Sequence, residues 1–337
     1  MQAKKKLGVR PAVLAASMIS LLMSPVMSTV AAPSATAEQL HAWHDSLKNF
    51  PPVSEGCFQA DYPSLAWQQV ACGETPTYRS NPKYRGADTV GNGYDYSATT
   101  SHLTQSATGS FPSETGVTSA SSGGYTLQLN TNFGNGPTAF CSALGYSSCQ
   151  TWEQFIYSSN YPGNAGTGVS GPQAFIQNWM FIPAHKRCPS GWNGYKTSSY
   201  NGCYKNSKGI AAPAVGLSGL SGGSLSGSAS TSGLDTVTFT YGGTAYAVSQ
   251  SGSTLDIGAT WNNSEFNVVG NGGGSAATFN SGSSLTVKVA TNDGTTNAPT
   301  CTGPTNGGTT GETNNLNLGA CVAAGGTSPY IQFTESN

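Results

Sequence analysis

The stretch Trp261-Asn-Asn-Ser-Glu-Phe-Asn-Val-Val-Gly-Asn-Gly-Gly-Gly274 sets the fold class of this chain. Alternating side chains over Glu265 to Val269 predict a strand, and the glycines behind it predict a tight turn. On such a strand Glu265, Asn267 and Val269 share one face, while Phe266 and Val268 share the other. The same alternation recurs outward in both directions. Strands are predicted at Tyr125–Phe133, Trp152–Tyr157, Ala174–Ile182, Ile210–Val215, Thr236–Tyr241, Thr244–Ser249 and Ser253–Ile257. Ala276–Phe279, Ser283–Ala290 and Ser328–Thr334 complete the set. Residues 111–124 and 216–233, rich in Ser, Gly and Thr, are expected to be connections. Short strands joined by Gly/Asn/Ser turns, with almost no helix, predict an all-β antiparallel β-sandwich of the concanavalin-like or jelly-roll type.

The N-terminus follows another logic. Lys4, Lys5, Lys6 and Arg10 precede a broken apolar run over 13–26, and small residues at Val30-Ala31-Ala32 suit a cleavage. Residues 1–32 are therefore expected to be a signal peptide and the protein to be secreted. The run is too short and too interrupted for a membrane anchor, so no membrane partner is expected. Without this segment ten cations face fifteen acids, a net charge near −5. That excess of acid speaks against nucleic acid, which needs clustered basic residues. Charged residues make up 9% of the chain, against roughly 25% in ordinary globular proteins.

All eight cysteines follow the signal, as in an oxidising compartment. They fall into sequential neighbours: Cys57/Cys72, Cys141/Cys149, Cys188/Cys203 and Cys301/Cys321. Pairing within these neighbours is the preferred arrangement among the about 105 that eight cysteines allow. A helix is predicted over Ser34 to Phe50 from Ala37, Leu40, Trp43 and Leu47, with Pro51-Pro52 as its stop. His41 and His44 lie on it without an obvious third ligand, so no metal or cofactor is expected. The expected organisation is a signal at 1–32, a stapled N-terminal segment or pro-segment at 33–120, and a sandwich domain at 121–337.

Two aromatic strands look like a binding surface. Trp152, Gln154 and Ile156 share one face of their strand, and Glu153 points to the other. On the second strand Phe175, Gln177, Trp179 and Phe181 share a face. An amide among aromatics is costly to bury without partners, so such a face is either a satisfied polar pocket or a solvated groove floor. Between Ser121 and Ala290 the only carboxylates are Glu153, Asp235, Asp256 and Glu265. Asp235 and Asp256 adjoin turns and are expected to be solvated caps, which leaves Glu265 as the candidate catalytic carboxylate. Gly219-Leu-Ser-Gly-Gly223 matches a serine-nucleophile pattern but lacks the strand-to-helix context that gives it meaning.

In their order these motifs resemble the eqolisin-type glutamic peptidases over about residues 120–290. The resemblance is carried by Trp-Glu-Gln-Phe at 152–155, the aromatic strand from Ala174 to Pro183, and Ser-Glu-Phe-Asn-Val-Val at 264–269. It implies a secreted, acid-acting β-sandwich endopeptidase. It further implies Gln154 and Glu265 as the catalytic pair, with Gln177 as the substitute amide. Trp179, Gln177, Trp152 and Phe175 would then line a cleft for a polypeptide, in a monomer without a cofactor. The competing expectations are a non-catalytic sandwich that binds carbohydrate or another extracellular polymer through its aromatic-plus-amide face, and a structural or adhesive extracellular protein.

Overall fold

Two antiparallel sheets of ten strands each are stacked face to face in the computed structural model. It describes residues 35–75, 90–91, 93–118, 124–159, 171–196, 199–305 and 311–337. The expected signal at 1–32 lies outside these. The first sheet runs Thr300–Thr302, Ser97–Thr99, Asn263–Gly270, Tyr125–Asn130, Gln150–Ser158, Gln173–Pro183, Tyr200–Asn206, Asn193–Lys196. At the centre of the second, Thr244–Ser251, Leu234–Tyr241, Gly223–Ser228, Ser106–Thr115, Ser284–Asn292 and Tyr330–Ser336 lie in that order. This is the antiparallel sandwich that the alternation predicts.

The core forms where the two inner faces interdigitate. Phe155, Tyr157, Phe266 and Val268 come from the first sheet, and Phe111, Val237, Phe239, Val287 and Phe333 from the second. Tyr157 stacks on Phe239 at 3.9 Å between centroids, and Phe111 meets Phe266 at 5.2 Å. Two glycines make room for these rings. A β-carbon at Gly109 would sit inside the Phe266 ring, and one at Gly227 inside the Phe155 ring. The second sheet therefore carries Ser/Gly/Thr strands where sequence composition suggests loops. Ser106–Thr115 continues through Phe111-Pro112 with a bulge opposite Val287, an irregularity that tolerates proline. Gly223–Ser228 is likewise a strand, while residues 252–259 form two 3-10 turns in place of the predicted strand.

The expected boundary near residue 120 is not a boundary in the fold. Gly56–Asp61 pairs with Thr244–Ser251, Ser97–Thr99 with Asn263–Gly270, and Ser106–Thr115 with both Gly223–Ser228 and Ser284–Asn292. One compact unit spans Thr36–Asn337. The helix forms at Ala37–Leu47, with a capping box between Thr36 and Gln39. It packs Trp43 and Leu47 against Ala60 and Ala245 on the outer side of the second sheet. Four disulfides join the neighbouring cysteines: Cys57–Cys72, Cys141–Cys149, Cys188–Cys203 and Cys301–Cys321. Among the described residues no helix is long and apolar enough to cross a membrane.

Candidate active site

Glu265 owes its place to the way its strand begins. Trp261 is fully buried against Phe155, and its indole N–H donates to Asn263 O and Ser264 Oγ. With Trp261 so anchored and Phe266 in the core, pleating turns Glu265 to the outer face of the first sheet. Register does the rest. Gln177 pairs with Gln154, Gln154 with Asn130, Asn130 with Glu265, and Glu265 with Ser97, in one row across five strands. Directly paired residues share a face, so Gln154 and Glu265 look out on the same side, two strand spacings or about 10 Å apart.

Among the described residues no hydrogen bond joins them directly; Asn130 bridges them. Its Nδ2 donates to Glu265 Oε2 at 2.9 Å, while its Oδ1 accepts from Gln154 Nε2 at 3.0 Å. Gln154 Nε2 also donates to Gln128 Oε1 at 2.9 Å. The Trp179 indole N–H donates to Gln154 Oε1 (3.1 Å) and Gln177 Oε1 (2.9 Å). Because indole is only a donor, it fixes which end of the Gln154 amide faces which way. Gln128 hands the network on to Glu312 Oε2 at 3.3 Å. Glu265, Gln154 and Asn130 are each 1% exposed, so all three are buried as well as hydrogen-bonded to one another.

The other expected site residues divide. Gln177 and Trp179 join the network, and Trp152 stacks beside Trp179 at 6.2 Å. Phe175 lies on the same outer face, opposite Ile156 and buried. Glu153 points inward as expected. Asp235, however, is not a solvated cap. It is fully buried between the sheets near Glu153, beside an amide pair formed by Asn178 and Gln250. Burial pushes the Asp235 carboxyl up to about 7, and burial together with Asp235 holds Glu153 well above the carboxylate range.

Acids from outside residues 121–290 gather at the Asn263–Gly270 strand: Asp95 lies near Glu265, and Glu335 lies near Asp95. Asp95 and Glu335 are fully buried. Asn267 is oriented by accepting from Val268 N, and its Nδ2 donates to Asp95 Oδ2 at 3.0 Å and Glu335 Oε2 at 3.2 Å. Burial first, then the nearby carboxyls of Glu265 and Glu335, hold Asp95 well above its usual range. Glu335 is pushed up to about 8 by burial, against the lowering amides of Asn267 and Asn314. Glu335 leaves a local trace in the sequence, since it continues the Ile331/Phe333 face of its strand. Asp95 and Asn130 leave none.

Chemically the row offers a carboxyl group, Glu265, with an amide donor on one oxygen. A second oriented amide stands beyond it, and further carboxyls able to hold protons stand behind. His44, the buried histidine of the His41-x-x-His44 pair, instead meets Gly242 O through Nε2 on the far side of the molecule. No protein-family model matches the chain, and no curated protein or solved structure does so either.

Proposed function

We propose that the protein is a secreted, acid-acting endopeptidase that uses Glu265 and Gln154. The observation that carries this reading is the single hydrogen-bonded row in which Asn130 joins the two. In the proposed step the Glu265 carboxylate takes a proton from water as the water oxygen attacks the scissile carbonyl carbon. The carbonyl electron pair becomes an oxyanion, which a Gln154 N–H stabilises once the Asn130 contact is exchanged for it. The tetrahedral centre then expels the amine, Glu265 returns the proton to that nitrogen, and the carboxylate is regenerated. Asn130 keeps Glu265 aimed throughout. Four disulfides and the charge-poor composition support an extracellular setting. Buried carboxyls that retain protons support an acidic one.

A polymer-binding role has one observation in its favour, the exposed ring of Phe133 (41%) beside Phe181. The rings expected as its platform, Trp152 and Trp179, are 4% and 2% exposed and present no open stacking face.

Digestion of a denatured protein from about pH 2 to 7 by the wild type and by Glu265→Gln tests the proposal. Loss of a positioned general base is expected to cost on the order of 10²–10⁴ in kcat, with little change in melting temperature. A folded, processed wild type that cleaves nothing anywhere in that range would remove the reading.

A further inference from the structure

The amide row is flanked along the Gln173–Pro183 strand by rings that the proposed chemistry leaves unused. Gln177, Trp179 and Phe181 follow one another on the outer face. Trp179 stacks on Phe181 at 5.7 Å and 10°, and Phe181 meets Phe133 at 5.0 Å and Tyr200 at 5.4 Å, both edge-on. Trp179 is closed off, but Phe133 is 41% exposed and Phe181 and Tyr200 are half-buried. Beside them lies a cavity of about 310 Å³ walled by Phe181, Ile182, Pro183 and Tyr200, with Asn135 and Gln150 among its polar residues. Among the described residues no charged side chain lines it.

We infer that this cavity is a substrate subsite that takes a large apolar or aromatic side chain lying three or four residues from the bond that is cut. The inference rests on the peptidase reading. Its geometry follows from register. Gln150, which lines the cavity opposite Phe181, lies four residues along the strand from Gln154, which stands in the row with Glu265. At about 3.3 Å per residue that is ~13 Å, a length that an extended substrate covers with about four residues. Among the described residues the recess is one-sided. Phe175, two residues the other way from Gln177, is buried and offers no opening. The half-buried Phe181 and Tyr200 rings in the wall of this uncharged cavity offer faces that the edge of an apolar or aromatic guest can meet while water is released.

The experiment uses the folded, processed chain and peptides with one fixed cleavage site. A single Phe is moved through both flanks in a background of Ala, Ser and Gly. The expected result is a rise of about tenfold in kcat/KM when Phe lies three or four residues from the bond, on one side only. The ratio of Phe to Ala peptides is expected to fall towards one in Phe181→Ser and to persist in Phe181→Leu. The second variant separates loss of the apolar wall from loss of folding. A flat profile in an enzyme that cleaves the whole series overturns the subsite and leaves the peptidase reading intact. If nothing is cleaved, that reading fails, and NMR titration with the Phe peptide decides the subsite. Saturable shifts at Tyr200 that need the Phe would retain the cavity as a pocket for an aromatic side chain but overturn it as a cleavage subsite, and their absence would overturn both.

Discussion

Trp152 and Trp179 stack on each other, yet their indole nitrogens live in different worlds. Trp179 Nε1 donates to two glutamine oxygens, whereas Trp152 Nε1 is buried with no acceptor among the described residues. Replacing each by Phe keeps a ring and deletes only the N–H. Trp179→Phe frees Gln154 to rotate and strands two buried acceptors, a loss of about 1–3 kcal/mol. We expect kcat to fall about tenfold with KM nearly unchanged, read from initial rates in acid. Trp152→Phe removes a polar group that already lacks a partner, so its melting temperature should hold or rise. Asn130→Ala is the sharper probe of the row, because it takes a donor from Glu265 and an acceptor from Gln154 together. A variant with unchanged kcat would show that the bridge is not used.

Strands that lack bulky residues carry much of this sandwich, and Gly109 shows why. The Ser106–Thr115 strand fills its inner face with Ala107, Gly109 and Phe111, because the Phe266 ring from the opposite sheet occupies the space over Gly109. Gly109→Ala is therefore expected to destabilise by about 1–3 kcal/mol through overpacking, measurable by chemical denaturation. It should also lower activity, since Phe266 is bonded to Glu265 and holds it in place. A Gly109→Ala protein as stable and active as the wild type would mean that the sheets can separate without cost. The same packing explains which strands were legible in the sequence. Asn263–Gly270, Gln150–Ser158 and Gln173–Pro183 carry their own aromatic residues and declare themselves by alternation. Ser106–Thr115 and Gly223–Ser228 borrow apolar volume from their neighbours and read as loops. The site divides similarly. Glu265, Gln154, Gln177 and Trp179 stand out by chemistry on strong strands. Asn130 becomes visible only once register sets it between them, and Asp95 only once long-range pairing closes the sheet edge.

Across the whole molecule, buried carboxyls tie stability to acid. Glu335 is pushed up to about 8 and Asp235 to about 7, and Asp95 and Glu153 are raised as well, in every case chiefly by burial. A carboxyl with a raised pKa binds more protons folded than unfolded. Its contribution is thus fully present below the unfolded value of about 4 and is lost as pH climbs through the folded one. His44, lowered by burial to about 4, works the other way between its folded value and the ordinary 6.5, but it is one group against four. Denaturation midpoints are expected to fall steadily from about pH 4 to 8, and Glu153→Gln should flatten that slope. Midpoints that rise over this range would contradict the burial of these acids as described. The pairing order has a kinetic consequence as well. Each disulfide closes only 8 to 20 residues, whereas Gly56 pairs with Ser249, Ser97 with Glu265 and Thr115 with Ser284. Such distant closures are slow to find, and the Asp95–Asn267–Glu335 contact must wait for the strand at Tyr330–Ser336. A nascent chain therefore has three of its four disulfides within local reach well before the strand at Tyr330–Ser336 is made, and Cys301–Cys321 comes within reach only shortly before it.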